Sequence, residues 1–426
     1  MELRGKKLLY LGGIPRARYV VERARKMGIY VIVADYLENN PAKEVADEAA
    51  LIDALDIDKL EELCRMNKVD GIFSGYVDII LPCWKELCRR LQLPCYIEDR
   101  MLFAATDKVF FKELCKEYNL PVPQTYYIDK NNIEQSAKEL VYPVFIKPLD
   151  ASGSRGADVC LTPEEFSKKY KYALSFSKKG FVTVEDFLQG TEFILDYMLI
   201  NGRPYLASMA DRYTNEGHSA AINCCNLMIF PSRHLERYIK DVHPLVCNMF
   251  SKENFRNGVI FLQGYASNSI HFYEMGCRLG GTWPYIDEYF HNVNPLDMLF
   301  RHALTGEMLL DDDDADNITA RFNGNAAVIY FMAKKNEGTI KTVRGLDEVK
   351  KMKYVVSILE YYKSGDHFSI GTLTDVLILG VHLVADNFKQ LKERVNEIYS
   401  LVDYLDESDE SVLSPRYDIN QLEQYY

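Results

Sequence analysis

The apolar positions of the first hundred residues alternate between short solid runs and helically spaced stretches. "KLLYLGG" is a brief apolar run ending in a glycine turn, and "RARYVVERARKMG" has its apolar residues three and four apart before a closing Gly28. "IYVIVADY" is a second, β-branched run with Asp35 at its carboxyl end. "DIDKLEELCRMNKV" predicts a helix opened by acidic residues, "DGIFSGY" a further strand into a glycine turn, and "ILPCWKELCRRLQLP" a helix closed by Pro94. Strand, helix and strand in this order predict parallel βαβ units wound on both faces of one sheet.

From about residue 101 the texture changes. "TDKVFFKELCKEYNLPVPQTYYI" predicts a helix, a break at two prolines and a strand, while "PVFIKP" and "FVTVEDFL" read as strands. "TEFILDYMLINGRPYLASMADRY" predicts a hairpin about Asn201-Gly202, and "NGVIFLQGYASNSIHFYEMGCRLGG" a second through Ser267-Asn268-Ser269. After the acidic "DDDDAD" come strands ("AAVIYFMA", "DVLILGVHLVA") and helices ("LDEVKKM", "NFKQLKERVNEIYSLVDYL"), enough for a small third unit. The tail "DESDESVLSPRYDINQLEQYY" is polar and reads as partly disordered. The expected fold class is therefore α/β followed by α+β. Its units are a Rossmann-like domain over 1–100, a strand-rich central domain over 101–315, and an α+β domain over 316–426.

Composition narrows the function. A net charge of −12 argues against a nucleic-acid partner, which needs a basic face, but leaves room for an anion in a locally basic cleft. The amino-terminal apolar run is too short for a secretory signal, and no stretch is long enough to span a bilayer. Ten cysteines, among them Cys64, Cys83, Cys88, Cys95, Cys115, Cys224 and Cys225, show no zinc-type pairing and read as reduced packing residues of a cytoplasmic protein.

Candidate chemistry collects in the middle of the chain. "GGIPRA" with Asp35 is a poor dinucleotide fingerprint: the GxGxxG spacing is absent and Pro15 stands where a helix-opening glycine belongs. In "FIKPLDASGSRG", by contrast, Lys147 ends an apolar strand and precedes Ser152, Gly153, Ser154, Arg155 and Gly156, whose backbone N–H groups could close over phosphate. Lys108 follows Asp107 at a helix start, and Glu185 ends the strand "VTVED" with Glu192 seven residues on. Gln263 and Glu274 stand on the two arms of the late hairpin, with Arg278 four residues further. Lysines and an arginine neutralise polyphosphate, while oxygen ligands on adjacent strands suit magnesium. Each element has a plainer reading, such as a surface lysine, an ordinary hairpin loop or a Glu274–Arg278 ion pair. No Walker A loop is present.

The order of these pieces resembles the ATP-grasp superfamily over roughly the whole length, most specifically across 101–310 in "TDK", "YPVFIKP", "SGSRG", "VEDFLQGTE" and "FYEMGCRLGG". The resemblance implies an ATP-grasp central domain with a lid over about 122–190, and ATP and Mg²⁺ (or Mn²⁺) as cofactors. Lys108 and Lys147 would contact the phosphates, with Lys147 reaching also toward the adenine. Residues 152–156 would form a mobile loop above them. Glu185 and the backbone of Asp186, Phe187 and Leu188 would line the adenine pocket, Glu192 would hold the ribose, and His218 would stand near the γ-phosphate. Gln263 and Glu274 would be the metal ligands, a glutamine in the first position being similar to carbamoyl-phosphate synthetase, and Arg278 would steady the acyl phosphate. Gly276 departs from the family pattern, which has a metal-ligand asparagine there.

The implied reaction is ATP-dependent ligation of a carboxylate to an amine through an acyl phosphate. The layout is similar to L-amino-acid ligases, and also to biotin carboxylase and carbamoyl-phosphate synthetase. The alternatives are a carbamoyl-phosphate-synthetase-like enzyme phosphorylating bicarbonate or carbamate, and a nucleotide-binding regulator without turnover. Trp283, Tyr285 and Tyr289 read either as a substrate-pocket wall or as core. Small-molecule substrates and a homodimer complete the expectation.

Overall fold

The computed structural model describes residues 3–149, 156–214, 225–280, 284–308, 315–370 and 376–426. A parallel four-stranded sheet comes first: β1 (Lys7–Leu11), β2 (Tyr30–Asp35), β3 (Glu48–Leu51) and β4 (Gly71–Phe73), in the order β3-β2-β1-β4. β1, β2 and β4 are the apolar runs of the sequence. β3, "EAAL", was not foreseen, because a short edge strand with half-exposed positions carries almost no apolar signal. Helices α1 (Ala17–Lys26), α2 (Ile57–Asn67) and α3 (Leu81–Leu91) flank the sheet. α1 buries Ala17, Val20, Val21 and Ala24, a single stripe at helical spacing. Asp35 accepts hydrogen bonds from Gly13 N (2.8 Å) and Leu37 N (2.8 Å), so its carboxylate ties down the glycine turn.

Helices α4 (Asp99–Thr106) and α5 (Lys108–Glu117) lead to an antiparallel four-stranded sheet. It comprises β5 (Thr125–Tyr126), β6 (Val144–Pro148), β7 (Asp158–Cys160) and β8 (Val182–Asp186), in the order β5-β8-β6-β7. The foreseen hairpins follow as β9 (Thr191–Ile200) with β10 (Arg203–Thr214), and β12 (Gly258–Ala266) with β13 (Ile270–Gly276). They join β11 (Cys225–Phe230) and β14 (Asn325–Met332) in one large sheet. The last third adds β15 (Glu337–Thr339), β16 (Thr342–Arg344), β17 (Val355–Glu360), β18 (His367–Ser369), β19 (Leu377–Ala385) and β20 (Asp403–Leu405). β17 and β19 complete the eight-stranded order β13-β12-β9-β10-β11-β14-β19-β17, so strands from either side of residue 315 share one sheet.

The tail corrects its disordered reading. Val412, Leu413, Ile419 and Leu422 are buried, and the Tyr426 hydroxyl donates to Asp211 Oδ2 (2.6 Å). A few well-spaced apolar residues anchor a segment whose acidic neighbours hid them. The cysteines outside the masked stretches are free thiols. Among the described residues no helix is long and apolar enough to cross a membrane.

Candidate functional site

Helix α5 brings the two halves of the candidate site together. Asp107 caps it, accepting from Val109 N (2.8 Å) and Phe110 N (3.0 Å), and this fixes where the helix starts. Lys108 and Lys112, four residues apart, then project on one side. Lys112 pairs with Glu185 on β8, and Lys147 on the neighbouring β6 reaches the other oxygen of that carboxylate (3.0 Å). Lys108 reaches Glu274 on β13 of the large sheet (3.5 Å). One helix thus sets a lysine against each sheet.

Glu185 is almost wholly buried. Burial alone would raise its pKa, but the charges of Lys147 and Lys112 outweigh it and hold the carboxylate below its ordinary value. Lys112 is pushed down to about 8, first by burial and then by the charge of Lys147. Sequence reading overlooked Lys112; its spacing from Lys108 was the available signal.

Gln263 and Glu274 face each other across β12 and β13, as the hairpin register requires. The Tyr273 hydroxyl lies between Gln263 Oε1 (3.1 Å) and the Glu192 carboxylate, which also pairs with Arg212 (2.8 Å). One neutral and one anionic oxygen on neighbouring strands fit magnesium, an ion that keeps waters and phosphate oxygens in its shell. No cluster of three or more His, Cys, Asp or Glu suited to a metal occurs among the described residues.

Arg278 does not pair with Glu274. Its guanidinium makes a two-pronged bond to Asp78, just beyond β4 (2.6 and 2.7 Å), and it lies 4.9 Å from the Phe261 ring centroid. Leu279 N donates to Gly75 O (3.1 Å) close by, so the stretch after β13 docks on the first sheet. Asp78 was also not foreseen, since nothing local marks a residue two hundred positions away as a partner.

The remaining foreseen residues sort by neighbourhood. Asp186 accepts from Tyr126 OH (2.6 Å); the N–H groups of Asp186 and Phe187 donate to Gln124 O and Pro143 O, and Leu188 follows half-buried. Gly156 has φ +75°, and a Cβ there would come within 2.7 Å of Phe176, so the position needs glycine for packing as well as for backbone shape. Ser152, Gly153, Ser154, Arg155, His218 and Trp283 lie outside the described residues. Tyr285 is buried, its ring 4.6 Å from Tyr19 and 4.9 Å from His382, whereas Tyr289 is exposed against Phe290. A surface depression lined by Gly5, Lys7, Arg25 and Asp47 shares none of these residues.

Known proteins are similar to this chain in part of its sequence and in its fold. Residues 107–197 match the family described as the carbamoyl-phosphate synthase L chain, ATP binding domain. A formate-dependent phosphoribosylglycinamide formyltransferase of Sulfurisphaera tokodaii is 26% identical over 189 residues, which is 43% of this chain and 47% of that protein. The homologue from Bacillus velezensis is 26% identical over 190 residues, 43% and 48% of the two chains. The chain thus spans about half the length of the curated relatives it matches. Among solved structures, L-amino acid ligase from Bacillus licheniformis superposes with a TM-score of 0.75 at 16% identity, covering 95% of this chain and 99% of that one. Phosphoribosylglycinamide synthetase from Anaerococcus prevotii gives a TM-score of 0.74 at 17% identity, covering 94% and 100%. The chain thus shares the fold of these two enzymes, and over residues 107–197 its sequence is similar to that ATP binding domain.

Proposed function

We propose that the chain is an ATP-dependent ligase that joins a small-molecule carboxylate to an amine. The observation that carries this reading is the reach of α5, with Lys112 meeting Lys147 at Glu185 on one sheet and Lys108 meeting Glu274 on the other. A polyphosphate between the sheets would find cations on both sides.

A substrate carboxylate oxygen attacks the γ-phosphorus, the bond to ADP breaks, and an acyl phosphate forms. An amine then adds to the carbonyl carbon, loses a proton and expels inorganic phosphate. Lys147 and Lys108 balance the charge on the transferring group, and Arg278 steadies the acyl phosphate and the tetrahedral adduct. Glu185 keeps Lys147 and Lys112 in place and holds the adenine side; Glu192 takes the ribose. Residues 152–156 would exclude water from the phosphates, and His218 would stand near the γ-phosphate. Gln263 and Glu274 would hold magnesium, which when bound would neutralise part of the polyphosphate charge. The units 1–100, 101–315 and 316–426, with a lid over about 122–190, supply the three walls. On this reading the protein works in the cytoplasm as a homodimer.

A second reading, a nucleotide-binding regulator without turnover, draws on Gly276, which offers no metal ligand. Phosphate release from Mg-ATP, screened against pooled amino acids, bicarbonate and small dicarboxylates, separates the readings. Stimulation by an amino acid or dicarboxylate pool that Lys147→Ala and Arg278→Ala abolish supports the ligase. Bicarbonate-dependent release supports the carbamoyl-phosphate-synthetase-like alternative, and ATP binding without release in any pool the regulator.

A further inference from the structure

Arg16 follows the glycine turn at the carboxyl end of β1 and stands at the amino end of α1. In the order β3-β2-β1-β4 the winding reverses between β1 and β4. Open parallel sheets take ligands in the crevice outside the strand carboxyl ends at such a point. Gly12 to Arg16 leave β1 there, and Ser74 to Asp78 leave β4.

The side chain is half-buried, and among the described residues it has no counter-charge. Arg16 Nε donates to the Tyr361 hydroxyl (2.7 Å), and among the described residues no carboxylate pairs with its guanidinium. The groups in its electrostatic reach are the phenols of Tyr330, Tyr361 and Tyr76. His382 is there too, held neutral with its pKa down to about 3 by burial and then by the charge of Arg16 itself. Tyr285, whose phenol also feels Arg16, has a buried hydroxyl with no hydrogen-bond partner among the described residues. A half-buried guanidinium without an anion is a charge still open to a partner, and a buried hydroxyl left unbonded is costly. Both would be relieved by one anionic acceptor.

The position of that anion relative to the chemistry follows from the sheet. β1 and β4 are parallel partners, so Arg16 beyond β1 and the Asp78–Arg278 pair beyond β4 stand at the same sheet end. Arg278 is already matched by Asp78, and among the described residues Arg16 has no such partner.

We propose that Arg16 anchors a second, non-reacting anionic group of the substrate, a carboxylate or a phosphate, while the reacting carboxylate lies on the Arg278 side. The substrate of the acyl-transfer step is then a dianion. The assignment of the reacting end rests on the ligase reading; the anion site itself does not.

Two measurements on the full chain test this, and they fail separately. In the phosphate-release assay, dianionic substrates are compared with congeners that lack the second charge, glutamate against glutamine and aspartate against asparagine. Arg16→Gln is expected to raise KM for the dianion about tenfold to a hundredfold, the loss of one charge-assisted anchor, with most of the effect in KM rather than kcat. Arg16→Lys restores part of it, and the neutral congener shows no such dependence. Equal KM values in wild type and Arg16→Gln overturn the proposal and leave the ligase standing.

The second measurement needs no substrate. The thermal unfolding midpoint is titrated with inorganic phosphate and, separately, with glutarate, against chloride at matched ionic strength. A saturable rise in wild type that is absent in Arg16→Gln supports the site even if no pool releases phosphate, and the more effective anion tells phosphate from carboxylate. No rise in wild type, or an equal rise in both proteins, overturns it. Tyr361→Phe, which removes only the hydroxyl that Nε holds, gives the same tests a second variant should Arg16→Gln fold poorly; it is expected to show a smaller shift in the same direction.

Discussion

The ring of Phe261 fills the volume that a side chain at position 276 would need. A Cβ built on Gly276 meets Phe261 Cε1 and Cζ at 2.2 Å, and the two residues are register partners across β12 and β13. The asparagine that the ATP-grasp pattern has at this point is therefore replaced by a glycine and a phenylalanine acting together.

Restoring the asparagine alone will not restore a ligand. Gly276→Asn is expected to destabilise the protein by about 1–3 kcal/mol through overpacking, read as a lowered midpoint in chemical denaturation. The double variant Phe261→Ala with Gly276→Asn is expected to regain part of that loss. It should also bind Mg-ATP at lower magnesium than wild type. A single variant as stable as wild type would show that the ring gives way freely.

The buried trio of Lys112, Glu185 and Lys147 makes its members unequal. Removing Glu185 leaves two lysines facing each other out of water, so Glu185→Gln is expected to cost on the order of 3–5 kcal/mol of stability. Lys147→Ala leaves Lys112 still paired with the carboxylate and should cost less while abolishing ATP-dependent phosphate release. Denaturation midpoints beside the phosphate assay would check both.

Asp196 gives the fold a pH dependence of definite sign. It lies fully buried on β9, and burial raises its pKa to about 7, only partly offset by a hydrogen bond from Ser208 Oγ (2.8 Å). Between the ordinary carboxylate value of 3.8 and about 7 the folded chain holds this proton more tightly than the unfolded chain. The stabilisation is complete at the acid end and is lost as pH rises through 7. Asp196→Asn should flatten the slope of stability against pH in this window, with the variant gaining on wild type by about 1–3 kcal/mol near pH 8. Parallel slopes would assign the effect to other groups.

The carboxyl-terminal hydroxyl tests the ordered tail. Asp211 is fully buried and accepts from Ser232 Oγ (2.5 Å) and Tyr426 OH (2.6 Å). Tyr426→Phe is expected to cost about 1–2 kcal/mol, since Asp211 Oδ2 loses its shortest donor and keeps only the longer ones from Tyr213 OH and Arg233 N (3.3 Å each). An unchanged midpoint would mean that these remaining donors suffice.

Local pattern carried much of this molecule. β1, β2 and β4 are solid apolar runs, α1 is a single stripe, and both hairpins are marked by turn residues between alternating strands, because each of these is decided by neighbours in the chain. Lys147, Glu185, Gln263 and Glu274 were legible for the same reason: a charged or amide residue that interrupts an apolar strand stands out. Long-range partnerships were not. Asp78 reaches Arg278 across 200 positions, Tyr361 reaches Arg16 across 345, and Phe261 takes the place beside Gly276 by sheet register alone. The sequence by itself determined the strands, the helices and the residue types fit for phosphate and metal. Only the tertiary structure decided which charges are matched, which are left without a partner and which volumes are filled, because pairing energies and excluded volume depend on distances that the chain sets only when it packs.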